Sequence, residues 1–181
     1  MNLKTVRNFA LGTLILASGI VVISVNGRTS ANAVVANSKS PKTVLRVAQS
    51  TNVDTAALER SVLNQINQYR ASKGLPPLSR NSSMDSQSRN HSQNMANGST
   101  PFSHQGLAQR IQATGIPWRG YAENVAYNQG HSDPATVAVK GWLNSPGHLR
   151  NIEGNYNQTG IGVAVNGKGE IYFTQMFISS R

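Results

Sequence analysis

From Leu58 onward the apolar positions fall at helical spacing. Leu58, Val62, Ile66 and Tyr69 lie four, four and three residues apart, which predicts one buried stripe on an amphipathic helix. Asp54 is a suitable N-cap for it, and Gly74 with Pro76-Pro77 ends it. A second helix is predicted from about Ser82 to Asn97. Ser82 with Asp85 resembles a capping box, and Gly98 lies just beyond the end. Its apolar face is thin, with Met84, His91 and Met95; small residues such as Ser88 would let it pack closely. Gly106 to Thr114 fits a short helix closed by Gly115. Tyr121 to Tyr127 reads as extended or irregular. Asp133-Pro134 opens a further helix carrying Val137, Val139 and Trp142, with Asp as cap and Pro at its first position. Pro146-Gly147 is read as the break of that helix. The pattern then changes period. Ile161, Val163 and Val165 alternate with small residues, and Ile171 to Ile178 forms a second extended run. Asn166-Gly167-Lys168-Gly169 between them is turn chemistry, so the two strands pair as an antiparallel hairpin. Helices first and a hairpin last, joined by short loops, give an α+β sandwich. No internal repeat is present.

The first thirty-odd residues follow a different logic. Lys4 and Arg7 precede an uncharged apolar run from Phe9 to Val25, and Ala31-Asn32-Ala33 follows. Basic start, apolar run and small-x-small site are the order of an export signal, so residues 1–33 are read as a signal peptide cleaved after Ala33. The competing reading is a retained anchor. No second apolar run of that length occurs, so no membrane span is expected in the mature chain. Residues 34–53 are rich in Ser, Asn, Ala and Lys and read as a linker or disordered arm. Val44-Leu45-Val47 as a short strand is the weaker alternative. Residues 54–181 form the folded domain, a size suited to one domain.

Charge and cysteine content narrow the chemistry. The formal charge is +10, with only seven acids, and removal of Lys4, Arg7 and Arg28 leaves about +7. The bases are scattered and no aromatic-basic cluster appears. This favours attraction to anionic polymers of the cell envelope over specific nucleic-acid recognition. The absence of cysteine excludes disulfide staples, thiolate metal sites, a cysteine nucleophile and a lipid-anchored lipoprotein start. Scarcity also makes each acid informative. Glu123 lies in Gly120-Tyr121-Ala122-Glu123-Asn124-Val125-Ala126, among small and apolar residues. A carboxylate desolvated there needs a cation, a hydrogen-bond donor or a proton.

Four histidines are available. His91 belongs to the second helix near its apolar face and reads as a packing residue; His131 lies in a polar loop and reads as solvated. His104 follows Phe102-Ser103 in a loop after a helix, and His148 lies in Ser145-Pro146-Gly147-His148 where the pattern breaks. Loops at element ends are where rigid scaffolds display reactive groups. On spacing alone, a structural hydrogen-bond cluster is favoured over a metal site, because no H-E-x-x-H occurs and the gaps are long.

Five segments in order carry further information: Phe102-Ser103-His104; Ala122-Glu123-Asn124-Val125-Ala126; Trp142-Leu143-Asn144-Ser145-Pro146-Gly147-His148-Leu149-Arg150-Asn151-Ile152; Thr159-Gly160-Ile161-Gly162-Val163-Ala164; and Tyr172-Phe173-Thr174-Gln175-Met176-Phe177. With Leu63 to Arg70 and Gly74 to Leu78, the set resembles the CAP superfamily of cysteine-rich secretory proteins, antigen 5 and plant pathogenesis-related proteins. It is most similar to the short, cysteine-free bacterial branch. The likeness runs from about Leu58 to Phe177. It implies a three-layer α-β-α sandwich with a central antiparallel sheet, and a cleft of two histidines and two acids that holds a divalent metal such as zinc in some members. The first histidine corresponds to His104, the first acid to Glu123 and the second histidine to His148. The second acid, three residues after the Trp in animal and plant members, corresponds to Ser145 here. Serine is a poor metal ligand, so the implied site is reduced: His104, His148 and Glu123 with water around a cation, or an unmetallated cluster. Asn124 and Gln175 are expected to make structural hydrogen bonds beside it.

Two function classes follow. One is an exported binding module, secreted or held in the periplasm or cell envelope, which presents its cleft to a lipid, a peptide or an anionic envelope polymer. The other is a metal-assisted hydrolase acting on peptides or wall polymers, with Glu123 as ligand or general base. A metal-free Ser145-His148-Glu123 relay is a third arrangement, without a G-x-S-x-G elbow to support it.

Overall fold

The computed structural model describes residues 53–181. The predicted signal segment, nearly all of the predicted arm and the alternative Val44–Val47 strand lie outside the described residues. The elements are α1 (Thr55–Ser72), β1 (Ser79–Arg80), α2 (Ser82–Ala96), α3 (Leu107–Ala113), β2 (Trp118–Asn128), α4 (Pro134–Leu143), α5 (Pro146–Glu153), β3 (Gln158–Val165) and β4 (Ile171–Ser180). The strands form one four-stranded sheet in the order β1-β3-β4-β2. β3 and β4 are the predicted hairpin, and β2 lies antiparallel to β4 along its length, from Trp118 opposite Ser180 to Asn128 opposite Ile171. The short β1, which the apolar pattern does not announce, adds a parallel edge beside β3.

Helices cover both faces. Strand alternation sends Ile161, Val163, Phe173 and Phe177 into the larger core, where they meet Val62 and Ile66 of α1, Ala138, Val139 and Trp142 of α4 and Ile152 of α5. Met176 and Ile178 turn to the other face and pack with Met84 of α2 and Ile111 of α3. The architecture is therefore the α-β-α sandwich. α2 has few apolar side chains because it lies almost directly on strand backbone. A Cβ added to Gly160 would come within 2.3 Å of Met84, and one on Gly162 within 2.0 Å of the Arg89 nitrogen. Ser88 and Ser92 use the proximity, donating to the Gly160 and Gly162 carbonyls at 3.2 and 2.9 Å.

Three local expectations change. The N-cap of α2 is Asn81, which accepts from the Ser83 and Met84 amides, so Ser82 is inside the helix. Asp85 does not complete a capping box; its carboxylate accepts from the Ile161 amide at 2.8 Å and from Arg80 at 2.8 Å. Pro146 does not merely end α4. It occupies the first turn of a further helix, where its missing N–H costs nothing, with Ser145 as N-cap.

Charged residues also enter the buried stripe of α1. Glu59 is 1% exposed and accepts from Arg80 and Arg89, at 2.6 Å each for the closest contacts. Arg70, equally buried, donates to the carbonyls of Pro76, Ile152 and Gly154. It thereby ties the end of α1 to the segment after α5. Each charge is multiply hydrogen-bonded, as burial demands.

Candidate functional site

The site lies along β2, an edge strand of the sheet. An open edge offers unpaired backbone groups, and here side chains from the helices take two of them. The Trp142 indole N–H of α4 donates to the Val125 carbonyl at 3.0 Å, and Asn151 of α5 donates to the Glu123 carbonyl at 3.2 Å. Asn124 continues the tether. Its Oδ1 accepts from Asn151 at 2.9 Å, and its Nδ2 donates to the His148 carbonyl at 3.2 Å. This fixes the first turn of α5, which carries His148, against the strand. Gln175 lies opposite Asn124 in the β2–β4 ladder and donates to Thr159 Oγ1 at 3.2 Å, one strand further from the cleft.

Glu123 projects from the opposite face of β2, with its side chain fully covered. Oε1 accepts from His104 Nδ1 at 2.9 Å, and Oε2 accepts from the Arg110 guanidinium at 2.6 Å. His91 approaches from α2. Its Nε2 lies 4.0 Å from Glu123 Oε1 and donates to the Ser103 carbonyl at 2.8 Å. The carboxylate thus has the cation and the donor that its apolar surroundings require. Arg110 sits on α3 with 11% of its side chain exposed, and it also donates to the Gln105 carbonyl at 2.7 Å. Reasoning from sequence did not single it out. The available signal was its place between Leu107 and Ile111, on the helix face that turns inward.

His104 is the accessible member, its side chain 51% exposed. Because Nδ1 donates to Glu123, Nε2 is the nitrogen left for a ligand, the arrangement by which a carboxylate orients an imidazole toward a metal or a proton. Burial holds the His148 imidazole below the ordinary histidine value, and the neighbouring His104 adds to the effect. Burial likewise lowers His91; the Ser103 carbonyl opposes this and Arg110 reinforces it. Among the described residues no three His, Asp or Glu side chains converge as a metal-holding group. Both oxygens of Glu123 are engaged, so a cation bound here would have only the two imidazoles and water as donors, with Glu123 behind His104. No side-chain hydrogen bond joins Ser145 to His148, or His148 to Glu123, so no Ser-His-Glu relay is formed. His131 is exposed on its loop.

Beside His148 and Ser145 opens an apolar cavity of about 370 Å3, between Val125, Ala126 and Tyr127 of β2 and Val137, Ala138 and Trp142 of α4. Phe102, 48% exposed, and Tyr127, 55% exposed, form its rim. Their rings meet edge to face at 5.2 Å, and Tyr127 stacks on Tyr172 at 5.5 Å.

A sheet between two helical layers, with this histidine-bearing edge, defines a CAP domain. The model of the cysteine-rich secretory protein family (CAP) matches residues 63–177, and the chain belongs to that family. It is 34% identical over 148 residues to the uncharacterized protein YkwD of Bacillus subtilis, an alignment covering 78% of this chain and 55% of that one. Among solved structures, an extracellular SCP-domain protein from Bacillus anthracis superposes with a TM-score of 0.60 at 28% identity, over 70% of this chain and 41% of that one. An outer surface protein from Borrelia burgdorferi shares the fold, with a TM-score of 0.63 at 17% identity, over 71% of this chain and 97% of that one. The chain thus spans about half the length of its Bacillus relatives. No helix among the described residues is long and apolar enough to cross a membrane.

Proposed function

We propose that this protein is an exported binding module that takes an apolar group of its ligand into the β2–α4 cavity, with His148 and His104 as the polar end of the cleft. The observation that carries this reading is the open, apolar cavity of about 370 Å3 with two exposed aromatic rings at its mouth. Ligand sites are concave, mostly apolar and furnished with few polar groups, and this volume lies within their ordinary range. Export is supported by the amino-terminal pattern and by the extracellular and outer-surface relatives. The test is titration with anilinonaphthalene sulfonate, whose fluorescence reports an apolar pocket. Saturable one-to-one enhancement is expected, and Val137→Phe, which fills the cavity from α4, abolishes it without changing the circular dichroism spectrum. Enhancement equal in both proteins, or none in either, removes the proposal.

The metal-assisted reading is favoured by one observation: the Glu123–His104 hydrogen bond presents a correctly oriented imidazole beside a second, His148, whose lowered proton affinity keeps it neutral. Bound there, zinc would supply Lewis acidity. Isothermal titration with zinc should show binding lost in His104→Ala and His148→Ala, and strengthened by Ser145→Glu. In Glu123→Gln affinity should fall by about 10–100-fold, the usual effect of removing an outer-shell partner. Equal affinities across these proteins would dismiss the metal.

A further inference from the structure

A second cavity, of about 420 Å3, lies behind the Glu123 cluster between α2 and the segment from Thr100 to Arg110. Gln87, Asn90 and Asn94 of α2 line one wall, at spacings of three and four that place them on one helix face, and Gln105 and Thr100 line the other. None of these four carboxamides makes a side-chain hydrogen bond within the described residues. Two further polar atoms of the lining residues, Thr100 Oγ1 and Arg110 Nε, are buried without a partner, a state that native interiors seldom leave unanswered.

The lining restricts the occupant. Its side chains are all polar, so the apolar surface it offers is the stems and ring faces of Gln, Asn, Thr, His and Arg, which suits the carbon face of a sugar ring better than a long acyl chain. It contains no carboxylate, so a hard cation lacks its preferred donor. The charge of Arg110 is already answered by Glu123 at 2.6 Å, so an anion meets no free cation. What remains is a set of groups that both donate and accept: an amide presents N–H and C=O side by side, and adjacent hydroxyls on a ring do the same. We propose that this cavity, which shares His91 and Arg110 with the Glu123 cluster, binds a neutral saccharide separately from the apolar cavity between β2 and α4.

Calorimetric titration of the full chain with neutral trisaccharides, one of N-acetylglucosamine and one of glucose, tests the assignment. Binding of either sugar is expected to weaken tenfold or more in Asn94→Leu and in Gln105→Leu. Both side chains are exposed and unbonded, so the fold should persist, as unchanged melting will verify. Val137→Phe, which fills the other cavity, should leave sugar binding untouched. Three results overturn the proposal: no heat at millimolar sugar, affinities unchanged by both substitutions, or binding lost in Val137→Phe instead. Inorganic phosphate bound in place of sugar, and lost in the same two variants, overturns it as well.

Discussion

Gly162→Ala tests how the sandwich is held together. The added Cβ would lie 2.0 Å from the Arg89 nitrogen, 2.2 Å from the Ser88 carbonyl carbon and 2.5 Å from the Arg89 Cα. All three atoms are backbone of α2, so no side chain can swing aside. To restore ordinary contact near 3.4 Å, α2 must retreat from β3 by about 1.4 Å, the difference between that contact and the nearest approach. That movement stretches the buried Ser92–Gly162 bond, now 2.9 Å, and the Ser88–Gly160 bond, now 3.2 Å. Overpacking of this kind costs about 1–3 kcal/mol, and each weakened buried hydrogen bond adds about 1 kcal/mol. We expect a loss of about 3–5 kcal/mol on these figures. For a domain of this size the midpoint should fall by roughly 10–20 °C. Urea and thermal unfolding followed by circular dichroism measure both quantities. Gly167→Ala is the control, because a Cβ there meets nothing within 4 Å. A Gly162→Ala protein within about 0.5 kcal/mol of wild type, the scatter of ordinary surface substitutions, would show that α2 does not rest on the strand backbone as described.

Four other outcomes follow from the same geometry. Arg110→Met leaves the Glu123 carboxylate buried without its cation and should cost about 3–5 kcal/mol in urea unfolding; Arg110→Met with Glu123→Gln should recover part of that loss. Trp142→Phe strips the donor from the buried Val125 carbonyl, and denaturation should register about 1–3 kcal/mol. Gly141→Ala, in α4 with open space around it, should raise stability by about 0.5–1 kcal/mol, measured the same way. Burial lowers the proton affinity of His91 among Glu123, Arg110 and His104, so the unfolded chain binds that proton more readily than the folded one. Stability should therefore be complete above the ordinary value near about 6.5 and decline as the pH falls below it; His91→Gln should flatten that decline in a pH series of urea midpoints.

The elements most legible in the sequence were those whose burial follows one simple period. The α1 stripe, the Asp54 cap and the β3–β4 hairpin needed nothing beyond spacing and turn residues. The same period hid Glu59 and Arg70. They share the α1 face with Val62 and Ile66, but a reading that seeks apolar residues steps over charges in that position. β1, only two residues long, carries no alternation to detect. At Pro146 the local signal was ambiguous: proline ends one helix and suits the first turn of the next, and only Leu149 and Ile152 behind it distinguish the two. The need of Glu123 for a cation, a donor or a proton was legible from its apolar neighbours and from the scarcity of acids. Which of these meets it was not, because Arg110 is thirteen residues away on a separate short helix and only folding brings them together.

Arg110, with Trp142 and Asn151, explains why the cleft stays put on an edge strand. β2 has a strand neighbour on one side only, so its other side must be held by side chains. α3 reaches it through Arg110 to the Glu123 carboxylate, α4 through Trp142 to the Val125 carbonyl, and α5 through Asn151 to the Glu123 carbonyl. Three helices from two layers thus grip Glu123 and Val125 of one strand, with Asn124 between them holding the turn of His148. Rigid support of this kind lets a site keep its geometry without a metal or a disulfide. In a chain without cysteine that support has to come from hydrogen bonds and packing. The cost is concentrated: each grip is a buried polar contact whose loss leaves an unpaired group behind. Single substitutions at Arg110, Trp142 or Asn151 should therefore move His104 or His148 relative to β2 before they unfold the domain. Histidine NMR shifts in each variant, compared with its melting temperature, separate the two effects. Shifts that change only in step with global unfolding would mean that the strand is held by the sheet alone.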